Sequence, residues 1–167
     1  MKKNYFFTLV FSLLFSLSYS QVTRYVATAD NGGVNSGNAT SQSAPWLTLS
    51  YAISNADAGD TIIVGPGTFT DHSLEVNKAL TIQGHGREDT VFDGTGLGSV
   101  GFMAITSSNV SVKNMTIQDY SITSGDYQGG TAIRVGTARN GTDWYTFNPL
   151  TSILIKNIKF YNNTNTS

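Results

Sequence analysis

The sequence predicts an all-β solenoid, a chain wound into stacked turns of short strands, and two observations carry that prediction. The first is a repeat: Val110 to Tyr120 returns 43 residues later as Ile153 to Asn163. In each copy apolar residues alternate with polar ones on both sides of a single asparagine, Val110/Val112 then Met115/Ile117 about Asn114, and Ile153/Ile155 then Ile158/Phe160 about Asn157. Alternation with a period of two marks strands with one buried face. One residue turns a chain sharply between two strands only if it tolerates the left-handed region, and Asn is the non-glycine residue that does so most readily. Asn114 and Asn157 are therefore expected to be stacked structural corners, with Val112, Met115, Ile117, Ile155, Ile158 and Phe160 interior. The second observation is composition. Only 13% of residues are charged, about half the usual share, while Gly, Ser, Thr and Asn abound, as a chain of short strands and many turns requires.

Taken in order, the chain opens with basic Lys2-Lys3 and an apolar run from Phe6 to Leu17 that ends in Ser18-Tyr19-Ser20. This is the pattern of a cleaved secretory signal over residues 1–20, and its core is too short to span a membrane. The mature chain is then expected to be secreted, in the periplasm, at the cell surface or outside the cell, with no membrane span. No cysteine is present, so packing alone must hold the fold. With Lys2 and Lys3 removed, eight basic residues face eleven acidic ones, a balance that does not suggest nucleic acid as a partner.

Residues 21–60 read as an N-terminal strand (Arg24 to Ala27), a Gly/Asn/Ser-rich loop, and a helix from about Pro45 to Gly59 whose Trp46, Leu49, Ile53 and Ala56 share one face. A lone amphipathic helix ahead of a strand series suits a plug over the first turn, where unpaired edges and an open core would otherwise be exposed. Residues 61–167 read as the turns themselves. Strands are expected at 61–64, 68–70, 73–76, 80–83, 90–92, 102–106, 110–113, 115–118, 131–135, 152–156 and 158–161, three to a turn. Two corners of the last turn are expanded, to 119–130 and 136–151, and insertions in a solenoid gather on the side that binds.

Several segments together resemble the right-handed parallel β-helix proteins of the pectate-lyase-like superfamily, including secreted bacterial parallel β-helix repeat proteins. They are Tyr25-Val26-Ala27, Pro45-Trp46-Leu47-Thr48-Leu49, Tyr51-Ala52-Ile53, Ala58 to Val64, Gly67-Thr68-Phe69, Leu80 to Gly84, Val91 to Gly94 and the two Asn-cornered repeats, covering about Arg24 to Asn163. The resemblance implies a protein that binds or degrades an extracellular polysaccharide, as a polysaccharide lyase or glycoside hydrolase if it is an enzyme. A non-catalytic surface or adhesion module is the alternative, since a fold does not fix a function. It also implies that ligands lie along one parallel sheet, which here carries Met103 to Ile105 and Ala132 to Val135.

On that sheet Arg134 stands between Ile133 and Val135, both expected inward, so its guanidinium is presented outward. In the lyases an Arg or Lys so placed abstracts the proton beside a uronate carboxylate with calcium's help, which makes Arg134 the catalytic candidate; the bland alternative is a solvated strand residue. Calcium would need several convergent carboxylates, and Asp126 and Asp143 in the expanded corners are the nearest candidates. Tyr127, Arg134, Arg139, Trp144 and Tyr145 are the carbohydrate-binding candidates, the aromatic faces stacking on sugar rings. Tyr120 and Phe147 join them, with a satellite core as the competing use. Gly84-His85-Gly86, Glu88-Asp89 with Asp93, and His72 read as turns and solvated corners. The Asn-x-Ser/Thr triplets read as chance in an Asn- and Thr-rich chain. After Tyr161 only Asn162-Asn163-Thr164-Asn165-Thr166-Ser167 follows, in which no cap is visible, so further turns of the same polypeptide are expected beyond Ser167.

Overall fold

The computed structural model describes residues 20–123, 132–136 and 149–166. The secretory signal expected over residues 1–20 lies, but for Ser20, outside the described residues. Among the described residues no helix is long and apolar enough to cross a membrane.

The molecule is strand-rich, and every ladder between its described strands is parallel. Strands β1 (Thr23–Val26), β2 (Thr61–Val64), β5 (Thr81–Gly84), β8 (Val110–Gln118) and β11 (Ile153–Tyr161) lie side by side in that order. β3 (Gly67–Phe69) and β6 (Thr90–Asp93) pair next to the second half of β8, so β8 serves two faces by bending in its middle. A second sheet runs β4 (Leu74–Val76), β7 (Met103–Ile105), β10 (Ile133–Val135). A third joins β9 (Ser121–Thr123) to β12 (Thr164–Thr166). Each strand thus meets its counterpart from the next pass of the chain.

The bends occur where the asparagines stand. Asn114 and Asn157 have φ of 61° and 53°, and the Asn157 side-chain amide donates to Asn114 Oδ1 at 3.0 Å. The same device recurs five residues to either side: Asn109 and Ser152 have φ of 59° and 58°, Asp119 and Asn162 of 57° and 49°, and Asn162 Nδ2 donates to Asp119 Oδ1 at 2.5 Å. Short polar side chains tolerate the left-handed region, and at two of these three corners they also pair across the strands. Below Asn114 the position belongs to Gly84, where a Cβ would stand 2.1 Å from the Asn114 carbonyl oxygen. That crowding, not catalysis, accounts for the glycine opening the Gly84-His85-Gly86 turn.

Inward positions alternate along each strand. Ile62, Ile82 and Val112 form one buried column, Leu74, Val76, Met103 and Ile105 line a second wall, and Phe69, Phe92, Phe102 and Tyr120 stack with ring centroids 4.7 to 5.5 Å apart. Val112, Met115 and Ile117 are buried as expected. Ile155 and Phe160, also expected to be interior, are 39% and 52% exposed, and Val135, expected inward, is 48% exposed. They stand in register over Val112, Ile117 and Ile105, but β11 and β10 are outermost among the described strands, so nothing described covers their other side.

The helix is shorter than the periodicity suggested. α1 runs Leu49–Asn55 because Thr48, extended at φ −125°, accepts a hydrogen bond from Tyr51 N at 3.1 Å and starts the helix there. Trp46 lies outside it, bridging to Val26 and donating Nε1–H to Gly37 O at 3.2 Å. α1 buries Leu49, Ala52 and Ile53. Both its ends are held by the pass that follows: Asp71 Oδ1 accepts from Ser50 N at 2.8 Å, and Lys78 Nζ donates to Ala56 O at 3.0 Å and Ser54 O at 3.3 Å. Acid at the amino end and base at the carboxyl end match the helix dipole. At the same end of the stack Arg24 takes the inward place over Ile62. Its Nε pairs at 2.9 Å with the fully buried Asp60 carboxylate, and its guanidinium lies 5.8 Å from the centre of the Trp46 ring system.

Two short strands were not foreseen. β9 falls where an expanded corner was expected, and β12 falls in the Asn/Thr tail. Asn163 fixes that tail by donating Nδ2–H to Ile117 O at 2.8 Å and accepting from Tyr120 N at 3.1 Å.

Candidate functional site

The sheet β4-β7-β10 turns Leu74, Val76, Met103 and Ile105 into the core. The alternate residues, Glu75, Ala104 and Arg134, occupy one register row on the opposite face. Neighbouring strands are about 4.8 Å apart, so Glu75 and Arg134 arise roughly 9.5 Å apart with a methyl group between them. The row is a saddle: a carboxylate on one rim, a guanidinium on the other, and an apolar floor. Glu75 is steadied by Thr106, the next outward residue of the middle pass, whose hydroxyl donates to Oε1 at 3.1 Å. Such a saddle sets an acceptor-bearing and a guanidinium-bearing residue on either side of one small apolar residue.

Arg134 is half-buried and stands on β10 where the outward reading put it. Tyr127, Arg139, Trp144, Tyr145 and Phe147, and the carboxylates Asp126 and Asp143, lie outside the described residues. Tyr120 is core: it is fully buried in the aromatic stack, and its hydroxyl donates to Asp71 O at 2.5 Å. Burial, with the charges of Asp71 and Asp93, pushes that phenol far above its ordinary value, so it remains a hydrogen-bond donor. Glu75 and Ala104 escaped the sequence reading. Alternation within Leu74-Glu75-Val76 placed Glu75 outward, but only the register brings it into line with Arg134.

The remaining carboxylates are engaged separately. Glu88 accepts from Lys159 at 3.1 Å and from Arg87 at 3.2 Å, and Lys159 chiefly holds its carboxyl below the usual value. Asp93 accepts from Thr95 N at 2.8 Å and Gln118 Nε2 at 3.0 Å, with Thr95 the main cause of its lowered value. His85 Nδ1 lies 3.2 Å from Asp89 Oδ2 in an exposed turn, and His72 Nδ1 lies 3.3 Å from Ser73 Oγ. None of these forms a convergent pair. Among the described residues no group of three or more His, Cys, Asp or Glu side chains is placed to hold a metal ion. The described part of the face, with Glu75 alone beside Ala104 and Arg134, does not fit a calcium site.

No family model matches the chain, and neither the curated proteins nor the solved structures contain a significant match to it.

Proposed function

We propose that this chain is a right-handed parallel β-helix of the pectate-lyase-like kind, closed at its first end by α1, and that it is secreted to bind or degrade an extracellular polysaccharide. Parallel strands from successive passes, with left-handed corners in register between β8 and β11, support the solenoid reading. The closure reading is supported by α1, Trp46 and the Arg24–Asp60 pair, all gathered where β1 would otherwise leave an open edge.

The observation that carries the functional reading is the row Glu75, Ala104, Arg134 on one outward face. A sugar ring seated over Ala104 places hydroxyls within reach of the Glu75 carboxylate and any acidic substituent within reach of Arg134, whose planar fork suits carboxylates. Arg134 is the base in a lyase version of the reading and an anchoring cation in a binding version.

Affinity gels containing pectate, alginate or chondroitin test binding, and appearance of unsaturated products, with and without calcium, tests cleavage. Retardation with unsaturated products is expected of a lyase, and retardation alone of a polysaccharide-binding protein. Neither effect with any of these polymers would refute the reading.

A further inference from the structure

The sheet on the other side of the asparagine corner carries an unexplained pair of charges. Lys113 and Lys156 are direct register partners on β8 and β11. Val112 beside Lys113 is buried, so both lysines stand on the outward side about 4.8 Å apart at their backbones. Like charges placed opposite one another in a sheet are unfavourable.

Every other described cation has a protein contact. Arg24 pairs with Asp60, Lys78 with two helix carbonyls, Arg87 and Lys159 with Glu88, and Arg134 is also engaged. Lys113 and Lys156 have no ion pair or hydrogen bond among the described residues. Gln83 continues their column, and Thr81, Ser111 and Leu154 form the neighbouring one, so this stretch of surface carries no carboxylate.

We propose that this face is a second binding surface, separate from the Arg134 saddle, for a polyanionic glycan bearing sulfate or carboxylate groups. Two ammonium groups one strand apart grip successive oxygens of one anionic substituent, or the substituents of adjacent sugars, and the acid across the corner, Glu88, is taken up by Lys159 and Arg87. A neutral glycan gains nothing from this arrangement.

The test uses the whole chain with dextran sulfate, polygalacturonate and uncharged dextran, titrated at low and raised salt. Both polyanions, or one of them, are expected to bind with strong salt dependence, the two arms separating sulfate from carboxylate preference. Lys113→Gln with Lys156→Gln should weaken that binding roughly tenfold, the effect of losing a charged hydrogen bond. The corresponding pair of Lys→Arg substitutions should retain it, and unchanged thermal melts would show both variants folded. Dextran sulfate separates the two faces, since pectate is the polymer assigned to the Arg134 saddle. The proposal is overturned if the double Gln variant binds dextran sulfate as the parent does, if no polyanion binds, or if dextran binds equally.

Discussion

Each asparagine corner is a residue-scale choice between strain and pairing. Asn114 holds a positive φ that β-branched residues strongly resist, and it accepts a ladder hydrogen bond from Asn157. Asn114→Val should cost about 1 to 3 kcal/mol in chemical denaturation. Asn114→Gly keeps the backbone and loses only the ladder bond, so it should cost about 1 kcal/mol or less. Equal losses for the two would remove backbone strain as the cause. Asp60 is the other decisive residue. Burial pushes its carboxyl up, but hydrogen bonds from Val22 N, Arg24 and Asp57 N and the Arg24 charge outweigh burial and leave it below 3.8. A depressed carboxylate stabilises the fold fully above its ordinary value, and that contribution declines as pH falls through the folded one. Asp60→Asn should therefore cost about 3 to 5 kcal/mol near neutrality, the penalty of breaking a buried pair, and should lose part of the parent's acid sensitivity. Stability measured against pH for both proteins checks this. Asp71 has the opposite sign: burial raises its carboxyl despite hydrogen bonds from Ser50 and Leu49 and the charge of His72, so its ionised form costs stability as pH rises.

Among the elements, α1 shows what helical periodicity can and cannot reveal. The spacing of Leu49, Ile53 and Ala56 announced a helix, yet Trp46 matched the same spacing while lying in extended chain. The start was set by the Thr48 hydroxyl meeting Tyr51 N, a local hydrogen bond that apolar spacing ignores. Thr48→Ala should cost about 1 kcal/mol, read as a lowered melting temperature. Lys78→Met, which keeps the stem but frees the carbonyls of Ser54 and Ala56, should cost about 0.5 to 2 kcal/mol with the strands unaffected by circular dichroism. Strand positions were legible because alternation is a local signal. β9 and β12 were not, since Ser-Ile-Thr and Thr-Asn-Thr carry almost no apolar pattern and depend on Asn163 to bring them together.

At the level of the whole molecule, register decided what could be foreseen. The column Ile62, Ile82, Val112, Ile155 marks equivalent points on successive passes, and the intervals between them are 20, 30 and 43 residues. No fixed period links those passes, so self-similarity was visible only between the last two, where both copies keep single-residue corners. The Arg134 half of the saddle followed from strand alternation, whereas its Glu75 half and its Ala104 floor required the register of three strands from three passes.

The central claim is that a glycan sits on that saddle, and filling its floor tests the claim without touching either charge. Ala104→Trp projects a large side chain outward between Glu75 and Arg134, leaving Met103 and Ile105 in the core. Affinity for whichever of pectate, alginate or chondroitin the parent binds should fall at least tenfold, about 1.4 kcal/mol, with the thermal midpoint unchanged. Undiminished affinity in a folded Ala104→Trp protein would contradict the account.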